Sequence, residues 1–298
     1  MTSSLLAQAF SLQTVIYGLS ITAIYFMVSI SLSVGYGLMR VVNLEAMLYY
    51  SIGAYMIYQV IELTGNFVLG CVAATIAGGL LGLLVETQML RRLYGKNIMF
   101  TMVASFSVFL IGIGLIQYIW GLNPKPIKSP TAIAVGFLGV SIPLYRLIVI
   151  LIAAAVYTVF QLFLNKTIAG KAITAGVENS DNVQALGINI NKIFTITFVF
   201  ASAMGGLGGA LNAPFVMVAP YMGFDFLLFA FTTVILGGLG SMKGTMVSAL
   251  ILGQLVSIGG TIAPFMSYMG PFITMFLVIL FKPTGLFGIK SKAYGFEG

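Results

Sequence analysis

Ile98-Met-Phe-Thr-Met-Val-Ala-Ser-Phe-Ser-Val-Phe-Leu-Ile-Gly-Ile-Gly-Leu-Ile-Gln-Tyr-Ile119 is a run of 22 residues without one charged side chain. A bilayer's hydrocarbon core is about 30 Å thick, and a helix crosses it in about 20 residues. The run is long enough, and it does not alternate apolar with polar as a barrel strand would. It reads as a membrane-spanning helix. The basic cluster Arg91, Arg92 and Lys96 precedes it, and Pro124, Pro126 and Pro130 follow it in a long loop over 120–142.

Working outward, similar runs occupy roughly 14–36, 43–62, 66–88, 143–165, 193–213, 224–241, 245–263 and 268–282. The expectation is an all-α polytopic membrane protein of about nine spans, with eight or ten as the neighbouring counts. Composition agrees. The 298 residues are 59% hydrophobic and 7% charged, against about 25% charged in soluble domains. A soluble globule, a disordered chain and a disulfide-stapled module are excluded. Residues 1–298 read as one transmembrane domain, with Gly35 and Gly37 breaking the first helix from the second and Gly65-Asn66 turning the second into the third.

The charges set the expected orientation. Placing Arg40, Arg91, Arg92, Lys96, Lys166, Lys171, Lys192, Lys243, Lys282, Lys290 and Lys292 inside leaves only Lys125, Lys128 and Arg146 outside. Eleven of 14 basic residues then obey the positive-inside rule, with the N-terminus outside and the C-terminus in the cytoplasm. Basic residues scattered at span ends are topology signals, so nucleic acid is not an expected partner; membrane lipid is. Met1 to Thr14 lacks the basic region of a cleaved signal peptide.

Most site chemistry is excluded. The chain has no His and a single Cys, Cys71, so neither an internal disulfide nor a His/Cys metal site is expected. Gly170-Lys171 is followed by Ala172, and Asn165 stands where a phosphate-binding loop needs its first Gly. No Ser/His/Asp arrangement exists, so neither a catalytic residue nor a resident cofactor is expected.

What remains distinctive is a polar segment over 166–192. It contains a short amphipathic stretch (Ala172, Ile173, Gly176, Val177), then an acidic turn, then Val183, Ala185 and Leu186 before Gly187. Such an element at a membrane face suits docking to a partner, with an interfacial helix on lipid as the alternative. The pairs Gly78/Gly82, Gly205/Gly209 and Gly240/Gly244 have the small-xxx-small spacing that lets helix backbones approach. The run Leu236-Gly-Gly-Leu-Gly-Ser-Met-Lys-Gly244 is too rich in Gly for a stable helix and suits a hinge, a broken helix or a tight crossing.

Several of these stretches together resemble one family. Gly170-Lys171-Ala172, Ala175, Glu178-Asn179 and Ala185-Leu-Gly-Ile-Asn189 resemble the coupling segment of permeases from branched-chain (hydrophobic) amino-acid ABC importers. Pro220-Tyr-Met-Gly-Phe224, the 236–244 run, Lys282-Pro-Thr-Gly-Leu-Phe-Gly288, Val42-Asn-Leu44 and Ile52-Gly-Ala-Tyr55 are similar to that family's motifs as well, over about residues 14–289. The resemblance implies a second homologous permease, two cytoplasmic ABC ATPases that carry ATP and Mg, and an extracytoplasmic substrate-binding protein. It implies a bacterial-type inner membrane and ATPase coupling through Gly170, Lys171, Ala172, Ala175, Glu178, Asn179, Asp181, Ala185 and Gly187. Two departures stand out. Many relatives follow the Asn with His or Gln and then Gly, where this chain has Asn43-Leu-Glu-Ala-Met-Leu48, and some carry Lys where this chain has Phe229. Urea or short amides therefore stay open as substrates of the same permease type, and an ion-coupled secondary transporter is the alternative of a different class.

The candidate translocation-path residues are Asn43, Glu45, Gly53, Tyr55, Gly237, Gly238 and Gly240. Glu45 either serves function or pairs with Arg40 at the interface. Asn43 is expected to satisfy the backbone of a broken helix. Asp225 suits the positive end of a helix dipole, and Glu86 is expected to pair with Arg91 or Arg92. Glu62 marks a span boundary, while Tyr49, Tyr50, Tyr55 and Tyr58 either line a path or pack.

Overall fold

The computed structural model describes residues 11–39, 43–93, 98–137, 140–167, 170–171 and 190–288. Nine long helices stand among them: α1 (Leu12–Met39), α2 (Ala46–Thr64), α3 (Phe67–Val85), α4 (Ile98–Trp120), α5 (Leu144–Lys166), α6 (Ile190–Asn212), α7 (Met222–Gly237), α8 (Met242–Ile262) and α9 (Met266–Phe281). Six helices are long and apolar enough to cross a membrane, beginning at Leu12, Phe67, Met99, Leu144, Lys192 and Met242; α7 and α9 are shorter apolar helices. The protein is an all-α polytopic membrane protein. Large apolar side chains cover its outer faces, as Val68, Val72, Ile76, Leu80 and Leu84 do on α3, which suits lipid or a partner helix.

Local signals explain where helices start and stop. Asn66 caps α3 by accepting from the amides of Val68 and Leu69, and Gly65 ends α2 in the left-handed region at φ 68°. Ser241 caps α8 by accepting from Gly244 N. The loop after α4 holds something the sequence did not suggest, a two-stranded antiparallel hairpin, β1 (Ala134–Phe137) with β2 (Val140–Pro143). At its far end α3 runs into a π-helical turn, Glu86–Leu90. Such one-turn π segments often sit at functional places in helices.

Helix directions follow from the contacts. Ser257 Oγ donates to Thr14 O, and Thr245 Oγ1 meets Ser33 Oγ at 2.9 Å, so α1 and α8 are antiparallel. Leu44 N donates to Ser105 Oγ and Trp120 Nε1 to Gln59 Oε1, so α2 and α4 run the same way. A Cβ on Gly82 would meet Ser202 and one on Gly206 would meet Ala74 O, so α3 and α6 are antiparallel.

The centre is a three-helix contact of α2, α3 and α6. Gly53 faces the Gly206 carbonyl, Gly209 faces the Tyr50 carbonyl, and Gly78 lies against Ser202 O and Gly206. With hydrocarbon outside, packing rather than water exclusion holds such helices together, and Gly lets the main chains touch. The 237–244 run is the tight turn from α7 to α8. Gly238 and Gly240 have φ of 99° and 80°, conformations that only Gly adopts readily. Gly237 lies against Gly244, Gly240 against Gly37 of α1, and Gly238 against Gly288. Leu286 N and Phe287 N donate to the carbonyls of Leu236 and Gly237, which fastens the segment after α9 onto the same turn.

Candidate functional site

A cavity of about 380 Å³ opens where α1, α2, α5, α6, α7 and α8 converge. Tyr25, Phe226 and Phe229 form one wall, with Tyr25 edge-on to Phe226 at 5.3 Å and stacked with Phe229 at 5.6 Å. Tyr50 stacks on Phe226 at 4.9 Å, and its hydroxyl accepts from Asn212 Nδ2 at 2.6 Å. The segment between α6 and α7 supplies Phe215, Val216, Met217 and Ala219. Paired hydrogen bonds between Lys125 and Val218 tie that segment to the loop after α4.

Two charged side chains line the same cavity. Arg146, in the first turn of α5, is half-buried; its Nη1 donates to Ser20 Oγ at 2.6 Å. The guanidinium lies over the Tyr17 ring at 3.9 Å and near the Phe215 ring at 4.8 Å. Asp225, in the first turn of α7, is exposed to the cavity. Neither belongs to an ion pair among the described residues.

The expected path residues fall in four places. Asn43 and Glu45 sit at the break between α1 and α2 with no exposure at all. Asn43 packs on Gly35, and among the described residues its amide atoms have no hydrogen-bond partner, while the Glu45 carboxyl lies beside Ser105. Arg40, the suggested partner of Glu45, lies outside the described residues. Gly53 occupies the α2–α6 crossing. Tyr55 packs on Trp120 at 5.1 Å. Gly237, Gly238 and Gly240 make the α7–α8 turn. None of the seven lines the cavity.

Of the residues expected to couple, Gly170 and Lys171 are described, and Ala172, Ala175, Glu178, Asn179, Asp181, Ala185 and Gly187 lie outside the described residues. Thr167 organises the end of α5: its hydroxyl accepts from Gly170 N at 2.9 Å and its carbonyl from Lys171 N at 3.1 Å. Gly170 is folded so tightly against Phe163 and Leu164 that a Cβ would strike main-chain atoms. Glu86 pairs with Arg91 as expected, at 3.1 Å.

The profile described as "Branched-chain amino acid transport system / permease component" matches residues 14–281. The chain belongs to this permease family. The permease is 27% identical to the high-affinity branched-chain amino acid transport system permease protein BraD of Pseudomonas aeruginosa, over 93% of this chain and 95% of the relative. It is 24% identical to the LivH permease protein of Escherichia coli K12 over the same shares. It is 32% identical to the probable LivM permease protein of Methanocaldococcus jannaschii over 47% of this chain and 45% of that one. No solved structure matches it significantly. It is a multi-pass inner-membrane transport component. Sequence reasoning missed Arg146, Asn212 and Ser20 as cavity residues. A lone Arg inside an apolar helix was the available signal, and the topology count absorbed it.

Proposed function

We propose that the chain forms a translocation path with a second permease of the same family and imports branched-chain amino acids, driven by two cytoplasmic ATPases and fed by a substrate-binding protein. The family match along nearly the whole chain carries this reading, and the named relatives do not favour urea or short amides. Nine alternating spans fit the helix directions, since α2 and α4 run together while α1 opposes α8 and α3 opposes α6, and the bias of basic residues puts the N-terminus outside. ATP and Mg belong to the partner subunits.

The segment from Gly170 to Gly187 is the coupling element in this reading. It leaves α5 at the Thr167 turn and returns at α6, so a push on it acts on both helices. Lys171 and Glu178 contact the ATPase groove. Lys171→Glu and Glu178→Lys are expected to lower transport-coupled ATP hydrolysis while membrane insertion stays normal. Unchanged ATPase stimulation in both variants overturns the coupling assignment.

A further inference from the structure

We infer that the cavity holding Arg146 and Asp225 is a site on the permease itself for the zwitterion of an aliphatic amino acid, the carboxylate facing Arg146 and the ammonium facing Asp225. This rests on the importer reading and deepens it.

Arg146 at the start of α5 and Asp225 at the start of α7 both line the cavity, and neither belongs to an ion pair among the described residues, so the cavity presents charges of both signs to a ligand. Arg146 has five N–H donors in a planar fork. Ser20 accepts from one nitrogen, and the Tyr17 and Phe215 rings fix the plane, leaving other donors for a carboxylate. Asp225 makes no ion pair among the described residues and stands on the cavity surface. A lone cation or anion would satisfy one of these groups and repel the other, whereas a zwitterion satisfies both.

The remainder of the wall fits the side chain of such a ligand. Phe226 and Phe229 give it an apolar, aromatic surface. The volume, about 380 Å³, lies at the small end of the range for small-molecule sites.

A zwitterionic lipid head group presents the same pair of charges, so the test separates the two sources. The full chain is placed in nanodiscs of phosphatidylglycerol alone, and L-leucine binding is measured by thermal stabilisation. Leucine should stabilise it; 4-methylpentanoate, which lacks the ammonium, should bind Asp225→Asn more tightly than wild type, because the repelling carboxylate is gone. Asp225→Asn should weaken leucine binding at least about tenfold. Because Arg146 also supports Tyr17 and Phe215, Asp225→Asn is the deciding variant. No leucine effect in these discs, or an equal effect in Asp225→Asn, overturns the proposal; an effect of added phosphatidylethanolamine in place of leucine assigns the cavity to lipid. In the reconstituted importer, Asp225→Asn should lower the maximal leucine uptake rate about tenfold. An unchanged rate removes the site and leaves the importer reading standing; no leucine uptake by the unsubstituted importer removes that reading itself.

Discussion

Arg91 and Thr195, 104 positions apart, meet at 2.6 Å where the π turn after α3 touches the start of α6. The same Nη2 donates to Glu86 Oε2 at 3.1 Å, and Thr195 Oγ1 donates to that oxygen at 2.9 Å. The three groups close a triangle around a carboxylate with no exposure. Thr195→Val should cost about 1 kcal/mol of stability, and Arg91→Ala about 2–3 kcal/mol because it removes charged bonds. Thermal unfolding of the detergent-solubilised chain gives that order; equal losses would show that the guanidinium adds nothing.

The α2–α6 crossing predicts a sharp contrast between two glycines. A Cβ at Gly53 runs into the Gly206 carbonyl, while one at Gly114 of α4 meets nothing within 4 Å. Gly53→Ala should cost about 1–3 kcal/mol through overpacking, and Gly114→Ala should be tolerated. Folded yield by fluorescence-detected size exclusion reads both.

Glu45 is a fully buried carboxyl with no ion-pair partner among the described residues. Glu45→Gln keeps the shape and removes the acid, so the melting temperature should hold or rise, because an isolated buried charge is costly. A fall of several degrees would mean that the carboxyl is engaged as an anion.

At the end of α5, Gly170→Ala should disturb the start of the coupling segment while leaving the helices packed, since the added methyl meets Phe163 O and Leu164 main-chain atoms. Reconstituted uptake should drop well before the melting temperature does. Limited proteolysis near Lys171 is the companion measurement, and faster cleavage is expected.

Much of this architecture was legible from apolar run length alone. The run at 98–119 became Ile98–Trp120 and the run at 143–165 became Leu144–Lys166. Helix α2 was legible by its flanks, although Tyr49, Tyr50, Tyr58, Gln59 and Glu62 keep it off the group of strongly apolar spans. The hairpin 134–143 escaped because prolines earlier in the loop suggested irregular chain. The cavity escaped for a deeper reason. Asn212 meets Tyr50 across 162 positions and Arg146 meets Ser20 across 126, and no periodicity encodes such meetings. Glu86 with Arg91 was readable because five residues separate them on one helical stretch.

The glycine joint at 237–244 divides the molecule by stiffness. Main chain rests directly on main chain there, between Gly37 and Gly240, Gly237 and Gly244, and Gly238 and Gly288. Backbone atoms have no rotamers with which to absorb a displacement, so α1, α7, α8 and the segment after α9 must shift as one casting at that joint. The cavity is walled by Tyr25, Phe226 and Phe229, rings that turn about their own side-chain bonds. A rearrangement of the cavity wall therefore meets less resistance among these rings than at the glycine joint.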